Sequence, residues 1–183
     1  MLTMLIISIL LVALYAGATI WTIHVAERKP WRESLPESFS AMVFTLPKGG
    51  WRWLWSAWLL AVAVTAFAPA VEALDAHGLG VLGFLPMASL GFVAVWPLFD
   101  TDHRRWHYAF AVLAGVSSQV AALLVYSPAV VLPWGAFAVS CLFGVIGCLL
   151  SGTRVKEMFG ENIVLYLESQ CALTYFAAMV IRV

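Results

Sequence analysis

From Met4 to Val25 the chain runs for 22 residues without one Asp, Glu, Lys or Arg. At 1.5 Å per residue such a run makes about 33 Å of helix, close to the roughly 30 Å of hydrocarbon in a bilayer. A stretch that is apolar on every side has no polar face to turn to water, so it belongs in lipid or deep inside a bundle. Five more apolar blocks follow at about Trp51 to Leu74, Leu79 to Phe99, Trp106 to Tyr126, Val130 to Ser151 and Ile163 to Ile181. A membrane β-barrel needs short alternating strands, whereas these runs are continuously apolar, so helices are expected. The reading is an all-α bundle of six transmembrane helices forming one integral membrane domain over residues 1–183. With 63% apolar and 11% charged residues, the composition leaves no segment for a separate water-soluble domain.

The first block has no basic segment before it and no small-residue cleavage site after it, so it is expected to stay as an anchor. The longest polar stretch, Ala26 to Gly50, is the only loop with room to fold. Within it, Pro36-Glu37-Ser38 followed by Phe39 to Leu46 predicts a short capped helix at the membrane interface. Ser38 would be its N-cap, and Pro47-Lys48-Gly49-Gly50 would stop it. Trp51, Trp55 and Trp58 then share one helical face, as an interfacial aromatic belt would. Pro86 and Pro97 are expected to bend the third span.

Basic residues fix an orientation, because Lys and Arg next to helix ends are retained in the cytosol. Nine of the ten fall in the first, third and fifth loops: Arg28, Lys29, Arg32, Lys48, Arg52, Arg104, Arg105, Arg154 and Lys156. The tenth is Arg182. The chain is therefore expected to be a multi-pass protein of a bacterial cytoplasmic (inner) membrane, with both termini on the non-cytosolic side. Formal net charge is +0, which gives no basic face for a nucleic acid and leaves membrane lipids as the expected partners. Ser140, Gly144, Gly147 and Ser151 make a small-residue stripe on the fifth span, a candidate homo-oligomer contact. Cys141, Cys148 and Cys171 lack metal or redox spacing and read as buried thiols.

The ionisable residues near helix ends gather on the cytosolic side. Asp100, Asp102, His103 and His107 lie between the third and fourth spans, His24 closes the first, and Glu168 lies about 8 Å inside the last. A carboxyl at that depth faces a bundle interior, a cavity or a partner, and His107 or His24 is the expected partner. These positions outline a cytosol-facing polar pocket for a small ligand or lipid headgroup, with Asp100, His103, His107, Arg104, Arg105, Glu168 and His24 as candidate binding residues. Asp100, His103 and His107 at i, i+3 and i+7 also suit a metal such as zinc, against the plainer role of aspartates capping a helix start. Glu168, His107 and Ser38 are the candidates for catalysis. Ser40 is a second potential nucleophile, though no G-x-S-x-G elbow surrounds either serine. Below His107, Ala111, Ala114 and Ser118 form a stripe that lines either a shallow cavity or a helix contact.

The segments P-E-S-F-S-A-M-V-F (Pro36 to Phe44), W-L-W-S-A-W, L-G-F-V-A-V-W-P-L-F (Leu90 to Phe99) and H-Y-A-F-A-V-L-A-G (His107 to Gly115) resemble a group of small bacterial integral membrane proteins. That likeness covers about Pro36 to Gln119 and implies no particular activity. The early serine with an Asp and His pair also resembles, more distantly, the intramembrane metal-dependent hydrolases that include alkaline ceramidases and adiponectin-type receptors. Those proteins have seven helices with a His pair in the last, and the last span here has none. The likeness implies metal-dependent lipid hydrolysis as an alternative to binding. A small transporter is a third expectation, hinted at by Pro86 and Pro133 within spans.

Overall fold

A computed structural model describes residues 1–28, 30, 34–100, 102–125, 138 and 163–182. Five α-helices are laid out among the described residues: α1 (Leu2–Glu27), α2 (Trp53–Asp75), α3 (Gly80–Val95), α4 (Arg104–Val125) and α5 (Ile163–Arg182). Two 3₁₀ turns, Ala41–Thr45 and Gly50–Arg52, lie between α1 and α2, and no strand occurs among the described residues. Among the described residues, four helical stretches are long and apolar enough to cross a membrane: Leu2–Glu27, Gly50–Asp75, Arg104–Val125 and Val164–Ile181. The chain is a helical membrane protein. Apart from Ala138, the expected fifth span, Val130 to Ser151, lies outside the described residues, and with it Pro133, the Ser140, Gly144, Gly147 and Ser151 stripe, Cys141 and Cys148, as do the basic residues Lys29, Arg32, Arg154 and Lys156.

The helix expected as the third span, α3, is shorter than its apolar run suggests and is not among those four. It ends at Val95 after 16 residues, about 24 Å, rather than reaching Phe99. Pro97 is the cause, because a proline ring pushes the residue before it out of the helical region. Trp96 accordingly sits at φ −110 and ψ 73. Pro69 and Pro86 are carried inside α2 and α3, which continue through them.

Successive helices pack as neighbours, α1 on α2, α2 on α3, α3 on α4 and α4 on α5, and α1 also touches α5, so the five close into a ring. Two core clusters mark its ends. One gathers Leu5 of α1, Ala70, Ala73 and Leu74 of α2, Ala121, Ala122 and Val125 of α4, and Ala178 and Met179 of α5. The other joins Val43, Trp55, Leu59, Val93 and Ala94. The start of α1 and the ends of α2, α4 and α5 therefore share one end of the bundle. In lipid, helix association depends on close packing and interhelical hydrogen bonds rather than on escape from water. Small residues supply the packing: a Cβ added at Gly83 of α3 would come 2.8 Å from the Cα and the N of Val71 in α2. Tyr175 of α5 supplies a bond, its hydroxyl donating to the Ala66 carbonyl of α2 at 2.8 Å.

The stretch before α2 departs from the expected interfacial helix. Ser38 Oγ accepts the Ala41 N–H at 3.0 Å, but the residue at the N-cap is Ser40, and Ala41–Thr45 forms a 3₁₀ turn with Met42 and Val43 buried in the protein. The aromatic belt is also corrected. Trp51 is 61% exposed, yet Trp55 is only 1% exposed and Trp58 is half-buried. Their indoles turn inward because each N–H finds a carbonyl there: Trp55 Nε1 donates to Phe39 at 3.2 Å and Trp58 Nε1 to Leu11 at 2.9 Å. A buried indole N–H without such an acceptor would be costly.

Candidate functional site

Among the described residues the helices line a partly open cavity of about 1380 Å³. Most of its lining is apolar, with Leu59, Val62 and Phe67 from α2 and Val112 and Val116 from α4. Polar side chains also line it, among them Glu27, Thr45, Ser118 and Gln119, and four of them, Ser38, Ser40, His107 and Glu168, belong to one constellation around the segment 37–41. Ala111, Ala114 and Ser118, the stripe beneath His107, line this cavity.

Segment 37–41 is held from three helices. Glu168 of α5 accepts the Phe39 N–H on Oε2 at 2.7 Å, and the Leu165 N–H, also of α5, donates to the Glu37 carbonyl at 3.1 Å. Trp55 of α2 takes the Phe39 carbonyl. His107 of α4 reaches Ser40, with Nε2 at 2.9 Å from Oγ. The depth of Glu168 is thus accounted for by a backbone N–H of the first loop. The expected pairing of Glu168 with His107 or His24 gives way to a different arrangement, in which Glu168 and His107 grip adjacent residues, Phe39 and Ser40. A carboxylate oxygen so bonded inside a low-dielectric interior is far less costly than a bare one.

His107 is 1% exposed and both of its ring nitrogens are engaged. Nδ1 lies 2.8 Å from the Trp96 carbonyl, which can only accept, so Nδ1 carries the proton. That carbonyl is available because Pro97 ends α3 there and leaves no following helical N–H to take it. With Nδ1 protonated, the neutral imidazole presents a lone pair at Nε2, and the Ser40 hydroxyl donates to it. A sequence signal that ends one helix therefore sets the tautomer of a histidine in the next. Trp55 lies against the imidazole, ring centroids 6.3 Å apart.

Asp100 and His103 are brought together, but on the outside. Asp100 Oδ2 and His103 Nδ1 are 2.9 Å apart with side chains 36% and 47% exposed, and Asp100 Oδ1 accepts the Asp102 N–H at 3.2 Å. The hydrogen bond from His103 holds the Asp100 carboxyl below its ordinary value. The pair organises the approach to α4, as capping aspartates do. Arg104 and Arg105 are exposed at the start of α4, and His24 is half-buried near the end of α1; none of the three lines the cavity. Asp100, His103 and His107 are not gathered about one point, and among the described residues no three His, Cys, Asp or Glu side chains are placed to hold a metal ion.

Ser40 and the Trp96 carbonyl are the two members of the constellation that spacing does not reveal, since 67 residues separate Ser40 from His107. The one sequence signal that covers Ser40 is the P-E-S-F-S-A segment itself, which is the part of the first loop that three helices hold. The arrangement defines a helical membrane protein with a partly open, mostly apolar cavity that carries a polar constellation around the segment 37–41. Comparison of the chain with protein-family models, with curated proteins and with solved structures finds no match. Its chemistry is therefore read from its own geometry.

Proposed function

We propose that this protein binds one amphipathic molecule, a lipid or lipid-like compound, with its polar head at Ser38, Ser40, His107 and Glu168 and its apolar part along α2 and α4. The observation that carries this reading is the make-up of the cavity lining, apolar over most of its extent, with Ser38, Ser40, His107 and Glu168 together around the segment 37–41 and Ser118 and Gln119 as further polar groups on α4. Ligand pockets commonly measure about 300 to 1,000 Å³, and a larger space walled by Leu, Val and Phe suits an acyl chain.

The polar end faces the cytosol, and the chain crosses a cytoplasmic membrane six times with both termini outside. Nine basic residues at alternate loops support that orientation. So does the common direction of α4 and α5, which is that of two spans separated by one further crossing. A reporter active only in the cytosol should give signal when fused at Lys48, His103 or Lys156 and none at His77 or after Val183. Signal after Val183 would overturn the topology.

The binding reading is tested by extraction of the protein in mild detergent and mass spectrometry of what travels with it. The wild-type chain should retain lipid at a fixed ratio. Ala111→Trp, which fills the apolar part of the cavity, should lose it while the helical content is kept. Equal retention by a folded Ala111→Trp variant would overturn this reading.

A further inference from the structure

We propose that Ser40 is a nucleophile and His107 its general base, acting on a carboxylic ester in the polar end of the cavity; this rests on the amphiphile-binding reading and adds a reaction to it. Four observations converge. The Ser40 Oγ to His107 Nε2 distance is 2.9 Å, within the range in which a base takes a hydroxyl proton. The Trp96 carbonyl fixes the proton on Nδ1 at 2.8 Å, so Nε2 is the basic nitrogen. The backbone beside Ser40 is pinned by Glu168 and Trp55 through Phe39, so the hydroxyl is held rather than swinging on a loop. Both Ser40 and His107 line the cavity, and both are buried, at 8% and 1% exposure. A histidine that needed only a structural partner for Nε2 would be satisfied by any buried donor. The segment carries two serines that line the cavity, Ser38 and Ser40, and it is Ser40 whose hydroxyl meets the imidazole.

The step balances without a metal or an oxidant. Ser40 Oγ adds to the ester carbonyl carbon as its proton passes to His107 Nε2. The tetrahedral adduct collapses, the carbon–oxygen bond to the alcohol breaks, and the departing oxygen takes the proton from Nε2. An acyl group now sits on Ser40. Water then adds to it, giving one proton to Nε2, and Ser40 leaves and recovers that proton. One ester and one water become one alcohol and one carboxylic acid.

Two fluorophosphonate probes, one with a long alkyl chain and one with a short one, test this on the full wild-type chain in detergent, with the modified residue located by peptide mass spectrometry. Labelling should fall on Ser40 with both probes, faster with the long chain. It should vanish in Ser40→Ala, slow by about 100-fold or more in His107→Gln because the base is lost, and stay unchanged in Ser89→Ala, a buried serine of α3 that does not line the cavity. Labelling of Ser40 by the short probe alone would support the nucleophile and count against the amphiphile cavity. Retained lipid with no label on Ser40 from either probe would overturn the nucleophile and leave the binding reading standing. Because the decisive sample is the wild-type chain, a variant that fails to fold does not decide the outcome.

Discussion

The two ends of the bundle are held by different means. At the end defined by Leu5, Leu74, Val125 and Met179, the core is mostly alanine and the helices approach until backbones nearly touch, with Tyr175 adding one hydrogen bond. At the end defined by Val43, Trp55 and Val93, a non-helical segment sits among the helices and hydrogen bonds join it to them. This contrast locates where a site can exist in a membrane bundle. Close backbone packing excludes a ligand, whereas irregular backbone at depth must be supplied with hydrogen-bond partners and so brings polar side chains together. Arg52 adds to this end, its guanidinium lying over the Phe44 and Phe99 rings at 5.2 and 5.9 Å.

The contrast is most readily broken at the packed part of the bundle. Gly83→Ala would drive a Cβ against the backbone of Val71, which cannot turn aside as a side chain can. A loss of about 2 to 3 kcal/mol is expected, with Gly83→Leu worse, measured as thermal stability in detergent. An unchanged melting temperature for Gly83→Ala would show that α2 and α3 are not held by close approach.

The hydrogen-bonded end should respond less and in a coupled way. Glu168→Ala leaves the Phe39 N–H without its acceptor and should cost about 1 to 3 kcal/mol, whereas Glu168→Gln keeps an amide oxygen there and should cost less. Trp55→Phe removes the donor to the Phe39 carbonyl, with an expected loss of about 1 kcal/mol. Since both side chains hold one residue, the double variant should deviate from the sum of the singles by more than about 0.5 kcal/mol. Strict additivity would show that the segment is not held as a unit.

The smallest effect belongs to Asp100, outside both clusters. Its carboxyl is held below the ordinary 3.8 by His103, so the folded state favours the ionised form. That contribution is present above the unfolded value and is lost as pH falls through the lower folded one. Asp100→Asn should lower the melting temperature slightly near about pH 6 and by less still near about pH 3, because the wild type has by then given up part of the same contribution. A gap that widened toward acid would show that the Asp100 bond to His103 is not what lowers its affinity for protons.

Length, charge and periodicity were enough for the membrane class, the positions of the described helices to within a few residues, and the gathering of ionisable groups at one end. Those properties are local: an apolar run of Met4 to Val25 cannot be satisfied in water, and a carboxyl at Glu168 cannot lie in lipid without a partner. Pro97 was visible as a break, but not what its freed carbonyl would do. The packing of the helices settled that Glu168 answers the Phe39 N–H rather than a histidine, that Trp55 turns inward from the expected belt, and that Ser40 meets His107. The physical reason is that a hydrogen bond is fixed by which donors and acceptors lie within about 3 Å once the helices have closed. No spacing along the chain carries that information for Ser40 and His107, which come from a loop and a helix 67 residues apart.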